Sequence, residues 1–383
     1  MDCTSAFEKI DQLFPSYVSL WEDICNIESP TDYKEGVDQV GAFLIRWAQA
    51  RNWAIELAPQ TKSGDAVCIT MNPNCSAQPL SLSGHMDTVH PVGSFGSPAV
   101  SFEDDKIVGP GVADCKGGIV AALLAMDALQ SVGYTLRPVQ LILQSDEEVG
   151  SSYSNLDTVR FMCDKAKNAV AFLNLEGFNQ GKACIARKGI INFEFTVTGQ
   201  EAHAAECATQ GANAIIEAAH KMLLLDKIKD PEGLTCSCGV IRGGSVSNTV
   251  PKECVFRVNV RFATKEQEAW ICKYVQEVAE KVHVPGCTCK VEIVSHRIAM
   301  ELSDTNTQLL ERMNGIFVQY GMPQLVGTKN KGGSDAAYVT NAGIPCIDNL
   351  GVEGKRIHNP EEYALIESLR ESARRIAAIA YHI

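Results

Sequence analysis

Three short strand-like segments each run into a histidine or an acidic cluster. PLSLSG at 79–84 leads into His85-x-Asp87, PVQLILQ at 138–144 into Asp146-Glu147-Glu148, and AVAFLNL at 169–175 into Glu176. The last two are near-continuous apolar runs, which suit parallel strands covered on both faces. Helix-like stretches separate such segments. Residues 36–51 carry apolar residues at helical spacing, and 117–133 (GGIVAALLAMDALQSVG) reads as a buried helix closed by Gly133. With a further strand at 65–71, this alternation predicts an α/β fold with a mostly parallel central sheet flanked by helices.

The pattern changes near residue 188. GIINFEFTVT at 189–198 and ECVFRVNVRF at 253–262 alternate with period two, as strands with one solvent-facing side do. Helices are expected at about 211–225 and 264–283, and an alternating stretch follows at 288–294. Residues 188–296 thus form an α+β insert in a larger domain made of 1–187 and 297–383. That domain resumes with a helix at about 304–320, a strand at 344–349 and a helix at about 361–381.

Composition removes several classes of function. With 34 basic against 46 acidic residues and a net charge of -12, there is no basic stripe to neutralise phosphates, which argues against a nucleic-acid partner. No apolar run reaches the length of a membrane span. The N-terminal residues lack a basic segment followed by an apolar one, so no secretory signal is expected. The 15 cysteines are scattered and read as reduced thiols, an expectation of cytoplasmic residence. The two Cys-x-Cys pairs, Cys236/Cys238 and Cys287/Cys289, lack zinc-knuckle spacing and fit alternation on a strand.

In open α/β sheets, ligands bind beyond the carboxyl ends of the strands. His85, Glu148 and Glu176 all fall there. Asp114 sits in the Gly-flanked loop GPGVADCKGG before the buried helix, and His358 in the loop RIHNPEEY. One His and one carboxylate for each of two ions, with a further carboxylate shared, is a donor set that zinc accepts. Two ions about 3.5–4 Å apart form a known hydrolytic device.

At this point the chain resembles a known family: the dizinc exopeptidases and deacylases, which include carboxypeptidase G, aminoacylase, acetylornithine deacetylase and succinyl-diaminopimelate desuccinylase. GHMDTV, GPGVADCKGG, SDEEVGS, LNLEG, GGSDAAY and IHNPEEY occur in the family's order. The likeness spans essentially the whole chain and is nearest to the glutamate-carboxypeptidase-like members. It implies a zinc-exopeptidase-like fold and two Zn2+ per subunit, with Co2+ or Mn2+ as substitutes. Asp114 would bridge the metals, His85 and Glu176 would complete one ion, and Glu148 and His358 the other. Asp87 would orient His85, and Glu147 would be the general base that takes a proton from the attacking water and passes it to the leaving nitrogen. The resemblance further implies a homodimer formed through 188–296, in which His203 stabilises the oxyanion from the partner subunit. Asn248, Arg261 and Arg297 would bind a substrate carboxylate, an Arg fork being suited to two parallel hydrogen bonds. The backbone around Gly333 and Ser334 would meet the carboxylate or the scissile group.

The expected activity is cleavage of an amide bond beside a free carboxylate. A carboxypeptidase acting on small peptides or N-acyl amino acids is the first reading, and an acetyl- or succinyl-amino-acid deacylase the second. The sequence departs from the family pattern at Pro110, Cys115 and Asn259, where Arg, Met and Asp are common. Glu176 follows the carboxypeptidase and acylase members, since aminopeptidase-like members carry Asp. The likeness also implies a cis peptide after Asp114.

Overall fold

The computed structural model describes residues 3–383, in two compact units. The first holds the chain through Ile185 together with Leu302–Lys329 and Ser334–Ile383; the second holds Ala186–Glu301 and Asn330–Gly333. The short 330–333 piece, which the sequence reading leaves in the larger domain, groups with the insert.

The first unit is built on a six-stranded sheet. In spatial order its strands are Ala54–Ala58, Ala66–Met71, Val139–Gln144, Leu80–His85, Ala171–Asn174 and Cys346–Ile347. The last four run parallel, and Ala66–Met71 pairs antiparallel with both of its neighbours. Every residue of Ala66–Met71, Leu80–His85 and Ala171–Asn174 is buried, the condition that their apolar runs anticipate. Against the sheet packs the helix Lys116–Ser131, apolar on nearly all sides and therefore buried on nearly all sides. Gly133 follows it with φ +74°, the left-handed stop that glycine makes easily.

Two differences from expectation lie toward the ends of the chain. A helix at Thr4–Asn26, to which the sequence reading assigns no element, packs on Lys116–Ser131 through a face that includes Ile10, Tyr17, Leu20, Trp21 and Ile24. Those positions recur at helical spacing, so the pattern was present and overlooked. The terminal helix begins at Ile366 rather than near 361. Residues Tyr363–Leu365 are instead a strand paired with Lys106–Val108.

The second unit is a four-stranded antiparallel sheet in the order Thr235–Gly243, Glu253–Phe262, Gly189–Thr198, Thr288–Arg297. Its two central strands alternate between buried and half-exposed positions along their length. The buried side carries Phe195 stacked on Phe256, its direct cross-strand partner, with ring centroids 4.6 Å apart. Helices Ala214–Leu225 and Lys265–Glu280 pack against the sheet. Buried Lys221 donates to the carbonyls of Val278, Ala279 and Lys281 at the end of the second helix, and pairs with buried Glu217 at 2.9 Å. Cys236 and Cys238 lie on one strand and Cys289 on another, and no two cysteines among the described residues form a disulfide.

Candidate metal centre

Register sets the first part of the site. His85, the last residue of its strand, lies opposite Gln144, and Ser83 lies opposite Asn174. The segments that follow these parallel strands therefore leave the sheet at the same edge, carrying His85, Glu147–Glu148 and Glu176. Asp114 is brought there by the buried helix, whose first turn contains Gly117 and Gly118. A Cβ on Gly118 would lie 2.1 Å from the Leu175 carbonyl oxygen, so only glycine permits this approach to the segment carrying Glu176. His358 comes from the turn between Gly354–Lys355 and Tyr363–Leu365, with φ +62° at its own position.

The two oxygens of Asp114 face different histidines. Oδ1 lies 3.2 Å from His85 Nε2, and Oδ2 lies 3.1 Å from His358 Nε2. Glu176 Oε1 is 3.8 Å from His85 Nε2, and Glu148 Oε2 is 3.2 Å from His358 Nε2. Two groups result, His85–Asp114–Glu176 and Asp114–Glu148–His358. Within each, the potential donor atoms lie within 4.8 Å of one another. One imidazole nitrogen and two carboxylate oxygens suit a divalent first-row cation, whose bonds of about 2.1 Å space tetrahedral donors about 3.4 Å apart. The residues present fit such an ion in each group.

The His85 ring is oriented for the task. Its Nδ1–H donates to the Asp87 carbonyl oxygen at 2.9 Å, which leaves the Nε2 lone pair for the site. The Asp87 carboxylate is farther, at 3.4 Å. That fully buried carboxylate instead accepts the backbone amides of Glu147 and Glu148, each at 3.2 Å, and the Thr31 hydroxyl at 2.8 Å. Asp87 therefore joins the His85 segment to the turn holding the two glutamates. Those glutamates lie on a 3₁₀ turn, Glu147–Val149, rather than on extended chain. Successive side chains still diverge, by about a third of a turn.

Electrostatics show what the cluster does without a cation. Burial pushes the Glu176 carboxyl well above the usual range, and the Asp114 and Glu147 charges add to it. Burial likewise pushes Glu148 up to about 7 against the opposing pull of His358. Burial works against ionised Asp114 too, but hydrogen bonds from His358 and His85 hold it well below the carboxylate range. Those to Asp114 and Glu148 push His358 up to about 10. His85 is raised although burial opposes its charge, with Cys115, Asp114 and Asp87 all favouring the proton. Protons thus occupy the places where a metal's positive charge would sit.

The Asp114–Cys115 peptide is cis, as the resemblance implied. The Cys115 thiol is fully buried and accepts the His85 amide at 3.0 Å. Burial pushes it up to about 12 against the opposing pull of His85.

The second unit gathers the remaining candidates into two places. His203 and Asn248 meet at a small two-stranded ladder, in which His203 pairs with Thr249. The Ala205 amide donates to Nδ1 of the exposed His203 ring at 3.2 Å, so Nε2 is the nitrogen left facing outward from this contact. Arg261 donates from Nε to Asn259 Oδ1 at 2.9 Å and from Nη1 to the Lys331 carbonyl at 3.1 Å. Asn259 in turn donates to Asn192, and Asn192 to Ser295, a polar row across three strands. Gly333 lies against Arg297, where a Cβ would meet Cδ at 2.4 Å. Arg187, which the sequence reading passed over, reaches toward the Gly332 and Gly333 carbonyls at 3.4 Å. Ser334 belongs to the first unit, buried, with its hydroxyl donating to Asp348 at 2.6 Å. Only its backbone is left for any contact with substrate.

A parallel-edge α/β site with this donor set defines a metallohydrolase scaffold. The family model of Peptidase family M20/M25/M40 matches residues 81–382, and the chain belongs to that family of metallopeptidases and amidohydrolases. Carboxypeptidase G2 of Pseudomonas sp. (strain RS-16) is 28% identical over 93% of this chain and 86% of its own length. A succinyl-diaminopimelate desuccinylase of Gluconobacter oxydans is 23% identical over 77% and 79%. Among solved structures, aminopeptidase PepT of Bacillus cereus superposes with a TM-score of 0.77 at 20% identity, covering 96% of this chain and 97% of that one. The metallo-carboxypeptidase Sso-CP2 of Sulfolobus solfataricus gives 0.73 at 16%, covering 96% and 98%. The structural likenesses concern the fold.

Proposed function

We propose that the chain is a two-zinc hydrolase that cleaves an amide bond next to a free carboxylate, acting as a carboxypeptidase on small peptides or N-acyl amino acids. The observation that carries this reading is the Asp114 carboxylate, with one oxygen toward His85 and the other toward His358. His85, Asp114 and Glu176 would hold one ion, and Asp114, Glu148 and His358 the other. When bound, such a pair makes a water acidic enough to attack at neutral pH and polarises the scissile carbonyl.

The remaining chemistry belongs to the side chains. Glu147 takes the proton of the attacking water and returns it to the leaving nitrogen. Asp87 holds the Glu147 backbone and so limits where that carboxylate can go. The Nε2–H of His203 donates to the developing oxyanion, and the Arg261 and Arg297 guanidiniums, with Asn248, receive the substrate carboxylate.

Homodimerisation through 188–296 is part of this reading. The strand Thr235–Gly243 is an edge of its sheet and leaves Val240 and Ile241 exposed, as Ala214–Leu225 leaves Ile216 and Leu223. An edge strand with exposed apolar side chains is a surface that a second copy would cover. No helix among the described residues is long and apolar enough to cross a membrane, and the absence of disulfides there supports a cytoplasmic setting. The likeness to succinyl-diaminopimelate desuccinylases favours N-acyl-amino-acid deacylation as the second reading.

The test is a hydrolysis panel of dipeptides and N-acyl amino acids, each as free acid and as carboxamide. Cleavage confined to the free acids supports the reading, and the preferred acyl group separates the two activities. Equal cleavage of the carboxamides removes Arg261 and Arg297 from the site.

A further inference from the structure

Glu362 is the second glutamate of the motif IHNPEEY, and neither the candidate ligand set nor the acid–base chemistry uses it. Its side chain is almost fully buried, with 1% of its surface exposed. Oε1 accepts two backbone amides, from Ala113 at 2.9 Å and from Asp114 itself at 3.0 Å. Oε2 accepts Nε2–H of buried His90 at 2.7 Å. His90 is braced in turn by an edge-to-face contact with Phe95, with ring centroids 4.9 Å apart. A buried carboxylate with three good donors is well satisfied and rigidly held.

The three donors come from different parts of the chain. His90 lies five residues after His85, on the segment that also carries Asp87. The two amides belong to the loop that presents Asp114. Glu362 itself lies at the base of the turn that presents His358, and its backbone is fixed there: its amide donates to the Asn359 carbonyl, and its carbonyl accepts Gly109 N–H. One side chain therefore ties together three of the segments that carry the candidate ligands. The next residue, Tyr363, pairs with Val108 in a small sheet separate from the six-stranded one, which joins the turn to the segment before the Asp114 loop.

We infer that Glu362, held by His90, is a positioning residue that sets the distance between Asp114 and His358 and so forms the second cation site, Asp114–Glu148–His358. The proposal rests on the two-metal reading given above. Glu362 touches no candidate ion or substrate. It acts by fixing the backbone from which Asp114 projects and the turn from which His358 projects. A supporting partner of this kind changes metal affinity by about 10–100-fold when removed.

The experiment is a cobalt(II) titration of the metal-free full chain, followed by the visible absorption of the bound ion. Wild type is compared with Glu362→Ala, Glu362→Gln, His90→Ala and His358→Ala. Two steps are expected in wild type, and His358→Ala identifies the step belonging to the second site. Glu362→Ala should weaken that same step at least about ten-fold and alter its spectrum, while leaving the other step in place. Glu362→Gln keeps an oxygen facing the two amides and should recover most of the affinity. His90→Ala should weaken the same step less than Glu362→Ala does. Two steps in folded Glu362→Ala with wild-type affinity and spectrum overturn the proposal while leaving the two-metal reading intact. If Glu362→Ala does not fold, His90→Ala decides: a weakened second step supports the proposal, and an unchanged one overturns it. A wild type that shows no second step removes the two-metal reading and this proposal with it.

Discussion

Glu147 and Glu148 are chemically identical neighbours on one turn, yet the proposed function assigns them different work. Glu148 faces His358 at 3.2 Å, and the proposed function gives Glu147 the attacking water. Glu147→Gln should therefore retain both ions and lower kcat by about 10²–10⁴-fold, the usual range for a general base. Glu148→Gln should weaken metal binding instead. Metal analysis beside steady-state rates checks both, and near-normal kcat in Glu147→Gln contradicts the assignment. The proton inventory gives a second expectation. Ligands must be deprotonated to bind, and without a cation Glu148 keeps its proton up to about 7 and His358 up to about 10. Metal uptake at neutral pH must then release protons, so affinity falls as pH is lowered from about 8 to about 6. Chelator competition across that range should show the fall, and a flat profile would contradict it. Five candidate ligands were legible because their residue types stand at strand ends and in loops of fixed order. The further contacts of Asp87, to the Glu147 and Glu148 amides, were not. Its carboxylate serves backbone amides, and residue type alone does not say where a buried carboxylate finds its donors.

Among the elements, the Lys116–Ser131 helix matters most, because its first turn aims Asp114. Its apolar run announced a buried helix, but the pattern did not show why two glycines open it. The structure supplies the reason, since a Cβ at Gly118 would enter the Leu175 carbonyl. Gly118→Ala should destabilise the protein by about 1–3 kcal/mol, the usual range for overpacking, and should loosen metal binding by shifting Asp114 from Glu176. Denaturant midpoints and zinc affinity, measured on the same sample, should move together. Unchanged stability would mean that the backbone there yields more easily than the close approach implies. The two central strands of the insert were the most legible elements, because alternate residues of each are buried and the period-two pattern fixes that face. The start of the last helix was misplaced because Tyr363–Leu365 pairs with Lys106–Val108, a partner more than two hundred residues away in sequence. Helical periodicity near a terminus carries no trace of such pairing.

At the scale of the whole molecule, a parallel sheet holds the candidate metal ligands, and a separate antiparallel unit carries His203 and the arginines. The sequence showed this division as a change of period near residue 188. It could not show that Asn330–Gly333 groups with the second unit, because the piece is held there by the Lys188 amide and by Arg187 and Arg261, which residue pattern does not reveal. If two copies pair through the exposed edge strand, Ile241→Asp should give a folded monomer that keeps its metals and loses most turnover, since each site would then lack its partner's His203. Sedimentation with parallel rate measurements checks this, and a fully active monomer would contradict it. The central claim, a dinuclear centre bridged by Asp114, is tested most directly by titrating metal-free protein with zinc while following hydrolysis of an N-acyl amino acid. The account predicts two equivalents bound per chain, with full activity reached only as the second site fills. Full activity at one equivalent, or hydrolysis without added metal, would contradict it.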